Sequence, residues 1–207
     1  ISYVSIANAR ENLYREIGDK SFDEVYATAR INWNDALHAR VEGGTEDQKT
    51  IFYTGLYHAL LHPNLLNDVN GDFPENSTNK IGKNKERYTV FSLWDTYRNY
   101  HPLMTLLYPD QQLQMVRTML DIYKESGWLP KWELNSTETF TMVGDPASIV
   151  IADTYLRGLT DFDIHTAYEA MLKGANTLED NPIRPGVEEY WKNGYLSVDG
   201  GIRGPVS

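Results

Sequence analysis

Apolar residues recur at helical spacing along most of the 207-residue chain. A capping box of Ser21 and Glu24 precedes one of these runs, and a box of Thr45 and Gln48 precedes the next. Gly, Pro or Asp bounds each of the later runs, as helix start and stop signals require. The pattern predicts helices over residues 8–18, 21–37, 45–62, 93–108, 109–126, 146–158 and 161–174.

Strand signals are sparse, so the bulk of the chain is predicted to be all-α. The stretch "KWELNSTETFTMV" (residues 131–143) is rich in Thr, Phe and Val and predicts a short hairpin. Periodicity is lost from Pro63 to Phe91, which predicts either a functional loop or a disordered one. Helices of similar length joined alternately by short and long connections are typical of helical hairpins stacked into a bundle or a ring.

Both ends of the chain read as interrupted. The opening "ISYVSI" (residues 1–6) alternates like a strand, and a lone strand is not stable in water. The closing "YLSVDGGIRGPVS" (residues 195–207) is turn-rich and has no final helix. We therefore expect the chain to be a piece of a larger protein.

Charge and composition limit the classes of molecule that the chain is expected to bind. The chain has 29 acidic and 19 basic residues, a formal charge of -10, which argues against nucleic acid or an anionic membrane surface and favours a neutral ligand. The absence of cysteine excludes disulfides and thiolate metal sites and leaves the compartment open. No run approaches the roughly 18 apolar residues that a membrane span needs.

The stretch "FSLWDTYRNYHPL" (residues 91–103) places Trp94, Asp95 and Arg98 together at a predicted helix start. An indole face beside a fixed carboxylate is suited to holding a sugar and its hydroxyls. Arg98, three residues after Asp95, is expected to pair with it. The alternative is structural, because Ser92 and Asp95 also match a capping box.

A second stretch, "GWLPKWELNSTETFTMVGDPA" (residues 127–147), brackets a proline with Trp128 and Trp132 and follows the second tryptophan with Glu133. This arrangement predicts either an aromatic clamp with an adjacent carboxylate or a core plug, and both interpretations stay open. Asp145 precedes Pro146 and is predicted to be a helix N-cap.

Other chemistries lack their signatures. His58 and His62 are four residues apart but lack the glutamate of a zinc protease, and Asn79 stands where a calcium loop beginning at Asp68 needs a bidentate glutamate. No metal site is predicted from these residues, and neither a phosphate loop nor a serine-hydrolase motif is readable. A helical cleft with aromatics and carboxylates suits acid–base chemistry on sugars.

Three stretches then point to a family. "HPNLLNDVNGDF" (residues 62–73), followed by the two stretches above with similar gaps, resembles the front part of the catalytic domain of glycoside hydrolase family 92, the exo-acting alpha-mannosidases. The likeness runs from about residue 21 to 174. It implies that residues 1–20 are the last strand of an N-terminal β-sandwich and a linker helix. Residues 21–207 would then be the N-terminal portion of an (α/α)6 barrel.

The resemblance also implies an activity. Family members remove terminal alpha-linked mannose, with alpha-1,2 linkages foremost in our expectation, from mannans or N-glycans, with inversion and with a calcium ion. Trp94 and Asp95 would grip the mannose, with Arg98, Trp132 and Glu133 near by. The catalytic acid and base and the calcium ligands are expected beyond Ser207, in the remainder of the same enzyme. A secreted, periplasmic or cell-surface location is implied, although no signal is readable in these residues.

Three other interpretations remain at the level of sequence. The chain could be a non-catalytic carbohydrate-binding helical domain, because the features present bind sugar and those missing cleave it. It could belong to a different (α/α) toroid enzyme that acts on another glycan. It could also be a helical scaffold without a ligand.

Overall fold

A computed structural model describes residues 1–197 of the chain, and these residues are mostly helical. The helices are α1 (Ile6–Glu16), α2 (Phe22–Ala36), α3 (Glu46–Ala59), α4 (Leu93–Thr96), α5 (Tyr100–Leu107), α6 (Pro109–Ser126), α7 (Pro146–Leu156), α8 (Ile164–Asn176) and α9 (Val187–Asn193). The strands are β1 (Asn64–Leu65), β2 (Phe73–Pro74), β3 (Ile81–Gly82), β4 (Tyr88–Thr89), β5 (Phe91–Ser92), β6 (Trp132–Leu134) and β7 (Thr137–Glu138). Part of the turn-rich end, residues 198–207, lies outside the described residues.

Most helix starts predicted from local sequence signals agree with the structure. Both predicted capping boxes are present, with Ser21 accepting from the amide of Glu24 and Thr45 accepting from the amide of Gln48. The helix predicted over residues 93–108 is divided into α4 and α5. Pro102 explains the break, because it has no N–H to donate one turn back, so α5 restarts with this proline in its first turn. Helix α9 was not predicted.

Helix α6 is the centre of the core. It packs against α5, α7 and α8, and it ends at Gly127, which adopts the left-handed conformation with φ of 84°. Its buried side chains pack in one cluster with residues of α5 and α7, and the cluster includes Met115, Val116, Met119, Leu120 and Ile122 of α6 with Met104, Ala147, Val150 and Ile151. Among residues 1–197, no helix is both long and apolar enough to cross a membrane.

The first residues do not form the predicted strand. Ser5 instead caps α1 by accepting a hydrogen bond from the amide of Asn8, so a helix begins at Ile6. The start of the chain is held by Asp68, which is 5% exposed. Asp68 accepts hydrogen bonds from Ser2 Oγ (2.7 Å) and from Nδ2 of Asn8 (2.9 Å) and Asn12 (2.6 Å). The prediction failed because these contacts join residues far apart in sequence.

Residues 63–91 form an ordered loop, which excludes the disordered alternative. Strand β1 pairs with β4, and β2 pairs with β3. A Cβ on Gly82 would lie 2.3 Å from Cζ of Phe73, so glycine is needed where this ring crosses the second pair. Arg87, which is 1% exposed, ties the loop to α6 by donating to both carboxylate oxygens of Glu125 at 2.9 and 2.7 Å.

Replacing Asp68 should release α1 from this loop. Asp68→Ala removes three hydrogen bonds to a buried carboxylate, and we expect the local opening free energy of α1 to fall by at least about 2 kcal/mol. Hydrogen exchange of the α1 amides measures this change. Glu11→Ala, which removes a solvent-exposed ion pair to Arg15, is the control and should alter exchange little. Unchanged exchange in Asp68→Ala would contradict the account.

The core also contains a titratable group. His101 is 1% exposed, its Nδ1 lies 2.9 Å from Oε1 of Gln112, and Gln112 donates in turn to the hydroxyl of Thr154. Burial lowers the pKa of His101 from 6.5 to about 4, against the smaller opposing effect of the Gln112 hydrogen bond. The folded state therefore favours the neutral ring, and the associated stability is present above pH 6.5 and is lost as pH falls toward 4.

This titration predicts a measurable acid sensitivity. Lowering the pH from about 7 to about 5 should reduce the unfolding free energy by roughly 2 kcal/mol through His101. Urea denaturation of the parent and of His101→Gln at both pH values measures it, and the variant should lose less stability on acidification by that amount. Equal losses in the two proteins would show that His101 titrates alike in the folded and unfolded states.

Candidate functional site

A three-stranded sheet brings the two sequence stretches together. The hairpin predicted within residues 131–143 is present as β6 and β7, and its turn residues Asn135 and Ser136 have φ of 49° and 64°. Both are left-handed, as a two-residue type I′ turn requires. Strand β5 then pairs with β6, so that Phe91 lies opposite Glu133 and Ser92 lies opposite Trp132.

The alternation of the sheet separates accessible from buried side chains. Residues directly opposite each other in an antiparallel pair share a face, and successive residues alternate. Phe91 and Glu133 lie on the inner face and are both 0% exposed. Trp132 lies on the other face with Ser92, where both are partly exposed. Two neighbours that the sequence suggests as one unit, Trp132 and Glu133, therefore have different surroundings.

Trp94 and Asp95 follow β5 directly, in the short helix α4. Trp94 is 41% exposed. The hydroxyl of Ser92 donates to the Asp95 carboxylate, and Ser92 makes no side-chain hydrogen bond to the backbone of α4. The capping box considered for this pair is thus not formed. Asp95 is an exposed carboxylate that a neutral hydroxyl holds in place.

Arg98 does not pair with Asp95, so that prediction was wrong. Its Nε donates to the hydroxyl of Tyr97 at 2.6 Å, and its guanidinium lies 5.1 Å from the centre of the same ring. The local contact with the neighbouring tyrosine replaces the expected ion pair. Arg98 is exposed, and its Nη donors make no hydrogen bond to the described residues, so they are available to a ligand.

A groove of about 210 Å³ joins these residues to the turn before α7. It is lined by Trp94, Tyr97, Arg98, Val143, Gly144, Asp145, Pro146 and Ile149. Asp95, which is exposed next to Trp94, is not among its lining residues, and neither are Trp132 and Glu133. The groove therefore combines the first stretch with the end of the second, rather than with the Trp132–Glu133 pair on which the prediction rested.

Asp145 anchors one wall of the groove. It caps α7 by accepting from the amide and hydroxyl of Ser148 at 3.3 and 2.8 Å, which confirms the predicted N-cap. It also accepts from Arg184 Nε and Nη2 at 3.2 and 3.0 Å. Sequence reasoning missed this ion pair because Arg184 lies 39 residues away and carries no local signal.

Lys131 is a second residue that the sequence did not single out. It is 2% exposed, and its ammonium lies 3.4 Å from the carbonyl oxygen of Pro182. Burial lowers the pKa of Lys131, while the charges of Asp145 and Glu138 oppose that shift. Buried charges of both signs, Lys131 and Asp145, therefore lie in this part of the fold.

Glu133 is surrounded by donors from the protein itself. It accepts from Thr89 Oγ1 at 2.9 and 3.0 Å, from the Val90 amide at 3.1 Å and from the Ser136 amide at 2.5 Å. Burial raises the pKa of Glu133, and these hydrogen bonds and the charge of Arg87 oppose the rise. With no exposed surface, Glu133 is not placed to touch a sugar directly, contrary to our expectation.

Trp128 does not form a clamp with Trp132. Its ring instead faces the ammonium of Lys173, at 4.5 Å from the ring centre, and that ammonium donates to the carbonyl oxygen of Gly127 at 2.7 Å. This contact joins the end of α6 to α8. The interpretation of Trp128 as a structural residue therefore agrees with its position.

Taken together, the accessible groups suit a neutral polyhydroxylated ligand. Trp94 offers an apolar face, Asp95 accepts hydrogen bonds, and Arg98 donates them. Within residues 1–197, no group of three or more His, Asp or Glu side chains is arranged to hold a metal ion. The calcium ion that the sequence resemblance implies stays a prediction, with its ligands expected beyond Ser207.

Comparison with known proteins decides the family. The model of the glycosyl hydrolase family 92 catalytic domain matches residues 8–207. The chain belongs to glycosyl hydrolase family 92. This result confirms the resemblance inferred from the three sequence stretches, and it agrees with the mostly helical fold.

Solved structures of family 92 proteins share this fold. The family 92 alpha-mannosidase BT3965 from Bacteroides thetaiotaomicron is 34% identical, with a TM-score of 0.83 over 91% of this chain and 25% of that chain. The inverting mannosidase BT2199 of the same organism is 30% identical, with a TM-score of 0.85 over 96% of this chain and 28% of that chain.

A curated relative is also similar. A protein of Arthroderma benhamiae named as an uncharacterized secreted glycosidase is 28% identical over 182 residues, which are 84% of this chain and 19% of that protein. The chain thus spans 19% to 28% of the length of these three relatives.

The Asp145 anchor can be tested by its effect on stability. Asp145→Ala removes the cap of α7 and leaves Arg184 without its carboxylate, and we expect the unfolding free energy to fall by about 3 kcal/mol. Asp145→Asn keeps a capping oxygen and removes only the charge. It should therefore be about 1 kcal/mol more stable than Asp145→Ala. Urea denaturation measures both variants. Equal stability of the two variants would contradict a separate contribution from the cap.

Proposed function

We propose that the whole protein hydrolyses terminal alpha-linked mannose, with alpha-1,2 linkages foremost, from mannans or N-glycans, with inversion at the anomeric carbon. This chain would supply a sugar-holding wall. The observation that carries the proposal is the exposed Trp94–Asp95 pair beside a groove, in a chain of glycosyl hydrolase family 92. Its similarity to an alpha-mannosidase and to an inverting mannosidase supports the substrate and the stereochemistry.

The sugar would be held by complementary chemistry on two sides. The indole of Trp94 packs on the apolar face of the pyranose, and Asp95 accepts hydrogen bonds from its hydroxyls. Ser92 holds the Asp95 carboxylate from the protein side, which leaves its remaining lone pairs for the ligand. Arg98 donates to a ring or linkage oxygen, and Trp132 borders the site from the neighbouring strand. A neutral sugar avoids the repulsion that an anion would meet at this acidic chain.

The chemical step needs further carboxylates. Inversion requires an acid on the leaving oxygen and a base on a water, with the two carboxyl groups roughly 6.5 to 9.5 Å apart. In the groove, Asp145 is already engaged by Ser148 and Arg184, so it is not free to transfer a proton. Asp95 alone cannot supply both roles. We therefore place the acid and base beyond Ser207, in the rest of the enzyme.

The architecture of the whole protein is also part of the proposal. Residues 21–207 would form the N-terminal portion of an (α/α)6 barrel, for which the packing of α5 against α6 and of α6 against α8 gives support. Residues 1–20 would link it to a β-sandwich through α1. A secreted, periplasmic or cell-surface location is supported by the Arthroderma benhamiae relative, which is named as secreted. Calcium would need ligands from elsewhere in the protein, and no step is assigned to it.

Replacement of Asp95 tests the proposal most directly. In the whole protein, Asp95→Ala should lower kcat/KM for an aryl alpha-mannoside by about 100-fold or more, because a charged contact in the transition state is lost. The unfolding temperature should change little, since Asp95 is exposed and does not cap α4. Asp19→Ala, at another exposed carboxylate, is the matched control and should behave as the parent.

The other outcomes separate the alternatives. Normal turnover by Asp95→Ala would remove this residue from the site. A matching loss of unfolding temperature would favour a structural role for Asp95. Binding of alpha-1,2-mannobiose by the parent protein without release of mannose would favour a non-catalytic carbohydrate-binding domain, and cleavage of other aryl glycosides instead would favour a different toroid enzyme.

A further inference from the structure

Val90 has a backbone conformation that its side chain disfavours. Its φ is 65°, in the left-handed region, where a β-branched residue is an outlier. Such conformations persist only where the surroundings determine them, and they concentrate at functional sites. Val90 stands between β4 and β5, immediately ahead of the segment that leads to Trp94 and Asp95. The direction of the chain at Val90 therefore fixes where those two residues lie.

The carboxylate of Glu133 holds Val90 in this conformation. Oε2 accepts the Val90 amide at 3.1 Å, and Oε1 accepts the Ser136 amide at 2.5 Å. Thr89 adds its hydroxyl to both oxygens and accepts the Asn135 amide at 2.8 Å. An ionised carboxylate has only acceptors, so this all-donor surrounding suits it. If Val90 turned to an extended conformation, its amide would leave Glu133 and β5 would lose its register.

We infer that Glu133 is a positioning residue, which clamps the left-handed Val90 between the turn at Asn135–Ser136 and β5, so that Trp94 lies against the groove and Asp95 lies at the surface beside it. The inference rests on the proposed function for its effect on catalysis. It replaces direct sugar contact as the role of Glu133. Phe91 and Leu93, both 0% exposed, anchor the intervening segment, so a change of direction at Val90 is transmitted to α4 rather than absorbed.

A double-variant experiment in the whole protein tests the clamp. Glu133→Gln keeps the shape of the side chain but replaces one acceptor oxygen by an NH₂ group, so either the Val90 or the Ser136 amide faces a donor. We expect kcat/KM for an aryl alpha-mannoside to fall about tenfold. Adding Val90→Gly should recover about fivefold, because glycine adopts the left-handed conformation without the penalty that valine bears.

Glu138→Gln is the matched control. Glu138 is also a carboxylate of the hairpin and accepts three backbone amides, those of Lys131, Trp132 and Phe140, at 2.8, 3.0 and 2.6 Å. It makes no hydrogen bond to Thr89 or Val90 among the described residues. Val90→Gly should therefore give no recovery in the Glu138→Gln background. Recovery in both backgrounds would mean that glycine acts independently of Glu133, and it would overturn the inference.

A second readout does not depend on turnover. The NMR signal of the Trp94 indole N–H should shift in Glu133→Gln and return toward its parent position when Val90→Gly is added. If the parent hydrolyses no alpha-mannoside, the proposed function fails while this measurement still decides the clamp. Thr89→Val, which removes one donor to Glu133 and leaves the carboxylate, is the milder variant if Glu133→Gln does not fold. Unchanged Trp94 signals in both variants would overturn the inference.

Discussion

Segments distant in the sequence meet at one buried carboxylate. Glu133 belongs to β6, yet its oxygens receive hydrogen bonds from Thr89 and Val90, which lie 44 and 43 residues earlier, and from Ser136 in the turn that follows. A buried carboxylate without such donors would cost several kcal/mol, so the three segments form this contact together or not at all. The position of Trp94 and Asp95 depends on it, because they follow Val90 by only a few residues.

The charges around the groove are sorted by exposure. Asp145, which is buried, pairs with Arg184, whereas Asp95 lies at the surface with a neutral hydroxyl as its partner. Arg98 is held by an aromatic neighbour rather than by a carboxylate. Asp95 and Arg98 therefore keep free hydrogen-bonding capacity, which would suit a sugar with several hydroxyls.

Features were predictable from the sequence when the interacting residues lie close together along the chain, and were not when those residues lie far apart. The capping boxes at Ser21 and Thr45, the cap at Asp145 and the hairpin were predictable because their partners lie within a few residues. The loop over residues 63–91 is ordered by the pairing of β1 with β4 and of β2 with β3 and by the ion pair of Arg87 with Glu125, which have no local pattern. The burial of Glu133 depends on the pairing of β5 with β6. Family membership came from motifs, and the groove between Arg98 and Asp145 came only from the fold.

We propose that this chain holds the sugar of an inverting alpha-mannosidase. The most direct measurement is proton NMR of alpha-1,2-mannobiose during its first turnovers by the whole protein. If hydrolysis proceeds with inversion, we expect mannose to appear first as the β-anomer and to equilibrate afterwards, because a water attacks from the face opposite the leaving group. Mannose that appears first as the α-anomer, or no release of mannose at all, would contradict it.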